Sequence, residues 1–307
     1  MMDPKYPYEY LKPAADEMAG LYRKSIARLQ IKLSALLKSL DGAGLTSYST
    51  IIAAPGYDEA IQALREEVSQ IIAQRKYLIR EGIARGYVAR YSDVLYEAER
   101  IVQKKFPSWQ REPSEEQLER AFSIRPASVP SFEAIISRNE TITRARVGIR
   151  IQELVTKPDM TAKEFMSGMR DVLTGDYGRS YRVLQAEGAR TINTAAVDVF
   201  KTTKTTFLDG IRSAGRGIGA VLVWIHDEPL TPREWHQDVL HGCLADEAGF
   251  WHDEDGDMAA MRGGFSNPGN NINCRCSLEL MSYDEWQAEF GGGDFPPWMY
   301  DPGMELF

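Results

Sequence analysis

Gly215-Arg216-Gly217-Ile218-Gly219-Ala220-Val221-Leu222-Val223-Trp224-Ile225 decides the fold class of this chain. Before it, the long stretches repeat their apolar residues at three- and four-residue steps, the period of one helix face. Here three glycines at alternate positions interrupt that period. An apolar run follows in which Val221, Val223, Trp224 and Ile225 are β-branched or aromatic, which is the pattern of a strand. Beyond it the text reads as loops, short helices and strands, and it holds five of the six tryptophans: Trp224, Trp235, Trp251, Trp286 and Trp298. Ser277 to Met281 reads as a second strand, and Ser282 to Phe290 as a short helix ahead of Gly291-Gly292-Gly293. The expected architecture is α+β, a long-helix N-terminal body followed by a small mixed α/β C-terminal module.

Working outward, Lys12 to Leu40 reads as a helix with Met18, Tyr22, Ile26, Leu29, Leu33 and Leu36 on one side. Asp41-Gly42-Ala43-Gly44 ends it. A longer stripe runs from Ile61 through Leu64, Val68, Ile72, Ile79 and Ile83 to Ile101, stopping at Pro107. Gly82 and Gly86, one turn apart within it, either let another backbone approach closely or mark a kink, and in a soluble chain the kink is the expectation. Phe106 to Pro130 is a proline-rich connection with one short helix, opened by the capping box Ser114-x-x-Gln117. Ser131 to Thr156 is expected to be one helix. Thr161-x-x-Glu164 caps another that ends near Gly175, and a third runs from Tyr177 to Ala214. These boundaries divide the chain into residues 1–110, 111–176, 177–281 and 282–307.

With 307 residues and 43% apolar content, the chain can bury a substantial core, and its 26% charged residues are ordinary for a soluble protein. No apolar run approaches the ~20 residues needed to cross a bilayer, so no membrane association is expected. Met1-Met2-Asp3-Pro4-Lys5-Tyr6 lacks a basic segment followed by an apolar one, and no secretory signal is expected. Three cysteines point to a reducing compartment and away from a disulfide scaffold. Charge is unevenly spread. From Ile225 to Phe307 there are 17 acidic and three basic residues, against 27 acidic and 33 basic in the rest. An acidic total argues against non-specific duplex binding by the whole chain, while leaving the basic helical part free to contact DNA.

All four histidines (His226, His236, His241, His252) and all three cysteines (Cys243, Cys274, Cys276) lie in the last third. Two readings of the group stay open. His236, His241, Cys243, Cys274 and Cys276 are ligands of the type that tetrahedral zinc takes, although structural zinc more often uses a wider gap between cysteines. Alternatively Cys274 and Cys276, two apart on a strand, are small buried apolar groups on one face. Asp253-Glu254-Asp255-Gly256-Asp257 starts like a calcium loop, but its glycine is misplaced and Gly264 stands where a bidentate Glu belongs, so it reads as a solvated acidic turn. No Gly-x-Ser-x-Gly elbow, phosphate-cradling glycine loop, His-Glu-x-x-His or zinc-deaminase signature occurs. A thiolate–imidazole pair (Cys243 with His241, or Cys274 or Cys276 with His236) is the remaining catalytic possibility.

The order Trp224-x-x-Asp227, Arg233-x-x-His236, Gly242, Pro268 and Asn273-Cys274-Arg275-Cys276 resembles the Mu F-like domain of minor head, or head morphogenesis, proteins of tailed phages. The likeness covers about residues 177–281. The stretch Tyr177 to Ala214 resembles the family's lead-in helix, with Ala189-Arg190-Thr191-Ile192 standing where members usually carry Ala-Arg-Thr-Glu. The resemblance implies a virion protein made in a bacterial cytoplasm and placed in the head interior or at the portal vertex. There it would act in head assembly and genome ejection. It implies the portal protein as partner, with capsid or scaffolding protein beside it, and no cofactor. An enzymatic alternative is a small His/Cys-dependent nuclease or hydrolase carried by the C-terminal module. Contact of the basic N-terminal region with packaged DNA is a further expectation. Removing residues 1–110 is expected to abolish incorporation into heads and to leave the C-terminal module folded.

Overall fold

The computed structural model describes residues 7–42, 57–102, 111–125, 129–157, 161–214, 220–226, 240–245, 250–252, 255–259 and 276–291. In chain order these form α1 (Pro7–Gly42), α2 (Tyr57–Val102), α3 (Glu115–Ser123), α4 (Phe132–Thr156), α5 (Ala162–Ala214), β1 (Ala220–Ile225), β2 (Trp251–His252), β3 (Met258–Ala259), β4 (Ser277–Ser282) and α6 (Tyr283–Phe290). The fold is α+β, a long-helix body with a few short antiparallel strands in two small sheets. No described helix is long and apolar enough to cross a membrane.

The chain packs as two compact units, each assembled from segments distant in sequence. A helical unit comprises Pro13–Glu81 and Glu133–Leu184, and a mixed unit comprises Met1–Lys12, Gly82–Phe132 and Gln185–Phe307.

The helical unit draws on α1, α2, α4 and α5. Met18, Leu29, Leu64, Ile71, Ile136 and Met169 are among the apolar side chains closed from solvent there. One acid lies among them. Asp176 accepts hydrogen bonds from Tyr22 Oη (2.5 Å), Arg75 Nη1 (2.7 Å), Thr143 Oγ1 (2.5 Å) and Arg179 Nη2 (3.0 Å). It therefore ties segments of all four helices to one point. Both it and Arg75 are fully buried. Removing one member of such a pair would leave an uncompensated buried charge, which costs about 3–5 kcal/mol. The same node explains a departure from the sequence reading. The helix expected to end near Gly175 does not end there, and α5 runs unbroken for 53 residues. A helical glycine costs about 1 kcal/mol relative to alanine, and the packing that holds Asp176 outweighs that.

In the mixed unit β1 and β4 pair antiparallel, from Ala220 opposite Ser282 to Ile225 opposite Ser277. Leu222, Trp224, Leu278 and Leu280 join a core with Tyr87, Tyr91 and Leu95 of α2 and Ala195, Ala196 and Val199 of α5. Val221 and Val223 pack instead with Trp286 and Phe290 of α6. With both faces covered, β1 reads as a continuous apolar run and not as an alternation. The capping boxes expected at Ser114 and present again at Ser282 start α3 and α6.

Two further expectations bear on the packing, and the second is corrected. Gly82 and Gly86 stood for a close approach of another backbone or for a kink, and α2 is assigned as one helix of 46 residues. Gly86 is a point of close approach. A Cβ there would lie 2.7 Å from Ile192 Cδ1 and 3.4 Å from the backbone oxygen of Tyr10, so two other helices come down on bare backbone. The second concerns the independence of the C-terminal module. Its sheet shares a core with residues 87–101, because a two-stranded sheet has too little apolar surface to close a core alone.

Expression of residues 215–307 alone, or deletion of residues 1–110, should therefore leave Trp224, Trp251 and Trp286 solvent-exposed. Leu222, Leu278 and Leu280 would each lose burial worth about 1.5–3 kcal/mol. A cooperative melt and blue-shifted tryptophan fluorescence from either truncated chain would contradict the shared core.

Buried phenols set the response to alkali. Burial pushes Tyr10 up to about 12, against the lowering pull of Arg90, and burial likewise raises Tyr22 and Tyr87. In the unfolded chain these groups ionise near ~10. Their contribution to stability is thus complete below ~10 and is lost as pH rises through the folded values. Tyrosinate absorbance should lag behind a free-tyrosine titration and then rise together with loss of helicity. A titration of all tyrosines at the ordinary value in the folded protein would be the contrary result.

Candidate functional site

The described residues that carried the resemblance, Trp224, Gly242 and Cys276, lie in or beside the β1–β4 sheet. An isolated two-stranded sheet exposes a row of unpaired backbone groups on each outer edge. Here side chains and a turn meet the outward backbone groups of one residue on each edge. Trp224 and Leu278 are opposite one another, and their backbone groups point outward, away from the partner strand. On the β1 side, Trp224 N donates to Cys243 O (3.0 Å) and Gly242 N donates to Trp224 O (2.8 Å). On the β4 side, Leu278 N donates to Asn193 Oδ1 (3.1 Å), and Arg90 Nη2 donates to Leu278 O (2.7 Å). Arg90 also pairs with Glu279 at 2.8 Å, and ten residues along α2 Arg100 pairs with Glu285 of α6 at 2.8 Å. Two helices thus take the place of a third strand.

Of the motif residues, Trp224, Gly242 and Cys276 are described. Trp224 is fully buried, with its ring 5.7 Å from that of Trp251. Trp251 Nε1 donates to the same Cys243 carbonyl that receives Trp224 N. Gly242 is required by its backbone. Its φ of +79° disfavours side chains, and a Cβ would lie 2.4 Å from Phe290 Cδ1. Its carbonyl accepts from Trp286 Nε1 at 2.8 Å, which docks α6 against the turn. Asp227, Arg233, His236, Pro268, Asn273, Cys274 and Arg275 lie outside the described residues, as does Trp235.

Cys276, with no solvent exposure, sits immediately before β4, and its Sγ lies 3.4 Å from His226 Nδ1. The sequence reading paired this cysteine with His236 and gave His226 no part. His241 Nδ1 accepts from His226 N (3.0 Å), and its ring meets Phe290 edge-on. Burial pushes the Cys243 thiol up, away from thiolate character. Of the zinc set, His241, Cys243 and Cys276 are described and each has a place in the packing, while His236 and Cys274 lie outside the described residues. Among the described residues no three His, Cys, Asp or Glu side chains gather to hold a metal. Of the acidic loop, residues 255–257 precede β3, which pairs with β2, while Asp253 and Glu254 lie outside the described residues. Asp255 there is exposed, and Asp257 Oδ1 accepts from Met258 N.

Ile192 stands where the resemblance would place a glutamate, and the structure gives that position to the core. Ile192 is fully buried against Gly86. Arg190 finds its acid one turn earlier, pairing with Glu187, which Arg125 also approaches at 3.5 Å. Asn193, Arg90 and Glu187 were missed from sequence. Their one signal was a set of polar residues on otherwise apolar helix faces.

The chain matches no known protein family, curated protein or solved structure.

Asn193→Leu keeps the approximate shape but strands Leu278 N without an acceptor. It should destabilise the mixed unit by about 1–3 kcal/mol, the cost of an unmet buried donor. An unchanged denaturant midpoint for this variant would mean that water or another group satisfies Leu278.

Proposed function

We propose that this chain is a minor structural protein of a tailed-phage virion, of the Mu F-like head morphogenesis type. In this reading it sits at the portal vertex or in the capsid interior and acts in head assembly and genome ejection. Its partners are the portal protein and, beside it, capsid or scaffolding protein, with the basic helical part contacting packaged DNA. One observation carries the reading. The described motif residues Trp224, Gly242 and Cys276 all serve packing, closing the edges and corners of a small sheet against long helices. Motif positions spent on architecture suit a module selected for assembly.

The competing reading, a His/Cys nuclease or hydrolase, would draw on the His226–Cys276 contact. Catalysis by that thiol needs a route to substrate, and Cys276 has no solvent exposure. The packing of β4 against two helices also fills the space on that side.

In a phage that carries this gene, mass spectrometry of purified particles should find the protein at a fixed copy number per head. The Cys274→Ser, Cys276→Ser double variant should lower the melting temperature and reduce incorporation. Full folding and normal incorporation, together with loss of a measurable hydrolytic activity, would favour the enzyme instead.

A further inference from the structure

One face of the helical unit holds a cleft lined by exposed charges of both signs and an exposed isoleucine. Arg146, Ile149, Arg150 and Glu153 of α4 and Asp171, Val172 and Gly175 of α5 line an open cleft of about 330 Å³. The α4 residues are spaced three and four apart, so they form one stripe of that helix. Ile149 is 57% exposed, an unusual position for a β-branched apolar side chain in a helix. Arg150 is engaged with Glu153 at 2.9 Å. Arg146 and Asp171 are exposed and make no ion pair among the described residues, although they line the same cleft. Gly175 offers bare backbone, with only Arg179 Nη1 within 4 Å of where a side chain would begin.

We propose that this face mediates two-fold self-association. The argument is charge complementarity of a particular kind. One wall carries an unmatched base, the other an unmatched acid, and an apolar knob and a side-chain-free position lie between them. An occupant that satisfies all four features must present an acid, a base, a knob and a hole in matching order. A second copy turned about a two-fold axis does so automatically, because an isologous contact sets each patch against itself. Arg146 of each copy meets Asp171 of the other, and Ile149 of each enters the space over the other's Gly175. The proposal is independent of the virion assignment, since it concerns the helical unit and not the motif-bearing sheet.

Sedimentation of the full-length protein across a concentration series tests it. The native chain should associate reversibly, and more weakly as salt rises, because the paired charges are exposed. Arg146→Asp alone, or Asp171→Arg alone, should raise the dissociation constant about tenfold or more, replacing attraction by like-charge contact on both sides of the axis. Mixing these two variants should restore association, since each then offers the charge that the other needs. All the substituted side chains are exposed, so helicity and melting temperature should match the native chain. A native protein that is monomeric at every concentration would overturn the proposal and leave the face to a different occupant. Association that both single variants leave intact, or that mixing fails to restore, would overturn it equally.

Discussion

Leu278 is the residue on which the mixed unit turns. Its backbone N–H and C=O point out of the sheet, and each is met by a side chain from a different helix, Asn193 and Arg90. Without those partners β4 would be a bare edge buried next to apolar helices, and unmet backbone groups there cost more than any single apolar contact gains. With them, the sheet is locked to α2 and α5 at a fixed register. That register sends Leu222 and Trp224 to one face and Val221 and Val223 to the other.

The helical unit uses the same device with a charge. Asp176 collects donors from α1, α2 and α4 and one from its own helix, so four long elements that could slide past one another share a fixed point. Apolar stripes alone specify that helices pack, yet they tolerate shifts by a turn. A single fully buried carboxylate with directed partners does not tolerate such a shift.

The parts of this fold that were legible in sequence are those encoded locally. β1 fell where the apolar run stood, α4 ended at Thr156, and the Ser114 box opened α3. What could not be read were the pairings of charged residues across long separations, Arg90 with β4 and Arg75 with Asp176. On an amphipathic helix a lone arginine looks like part of the solvated side, and only the opposing element shows that it is interior. Gly175 misled for a related reason. Glycine weakens a helix locally, but here tertiary packing carried α5 through it. At the sheet, Gly242 was marked by the motif and its positive φ supplies the cause, whereas His226 stood outside the motif and still reached Cys276.

The interleaving of the two units has a consequence for biosynthesis. The last segment of the helical unit ends at Leu184, so that unit can close while the chain is still being made. The mixed unit cannot. Tyr87, Tyr91 and Leu95 emerge early but find their sheet partners only when Leu278 and Leu280 have been synthesised. At translation rates of about 5–20 residues per second, that apolar stripe waits on the order of 10–40 s. During that interval the nascent chain presents a sticky half-core to its surroundings, so its yield depends on how well chaperones shield α2 until synthesis reaches β4.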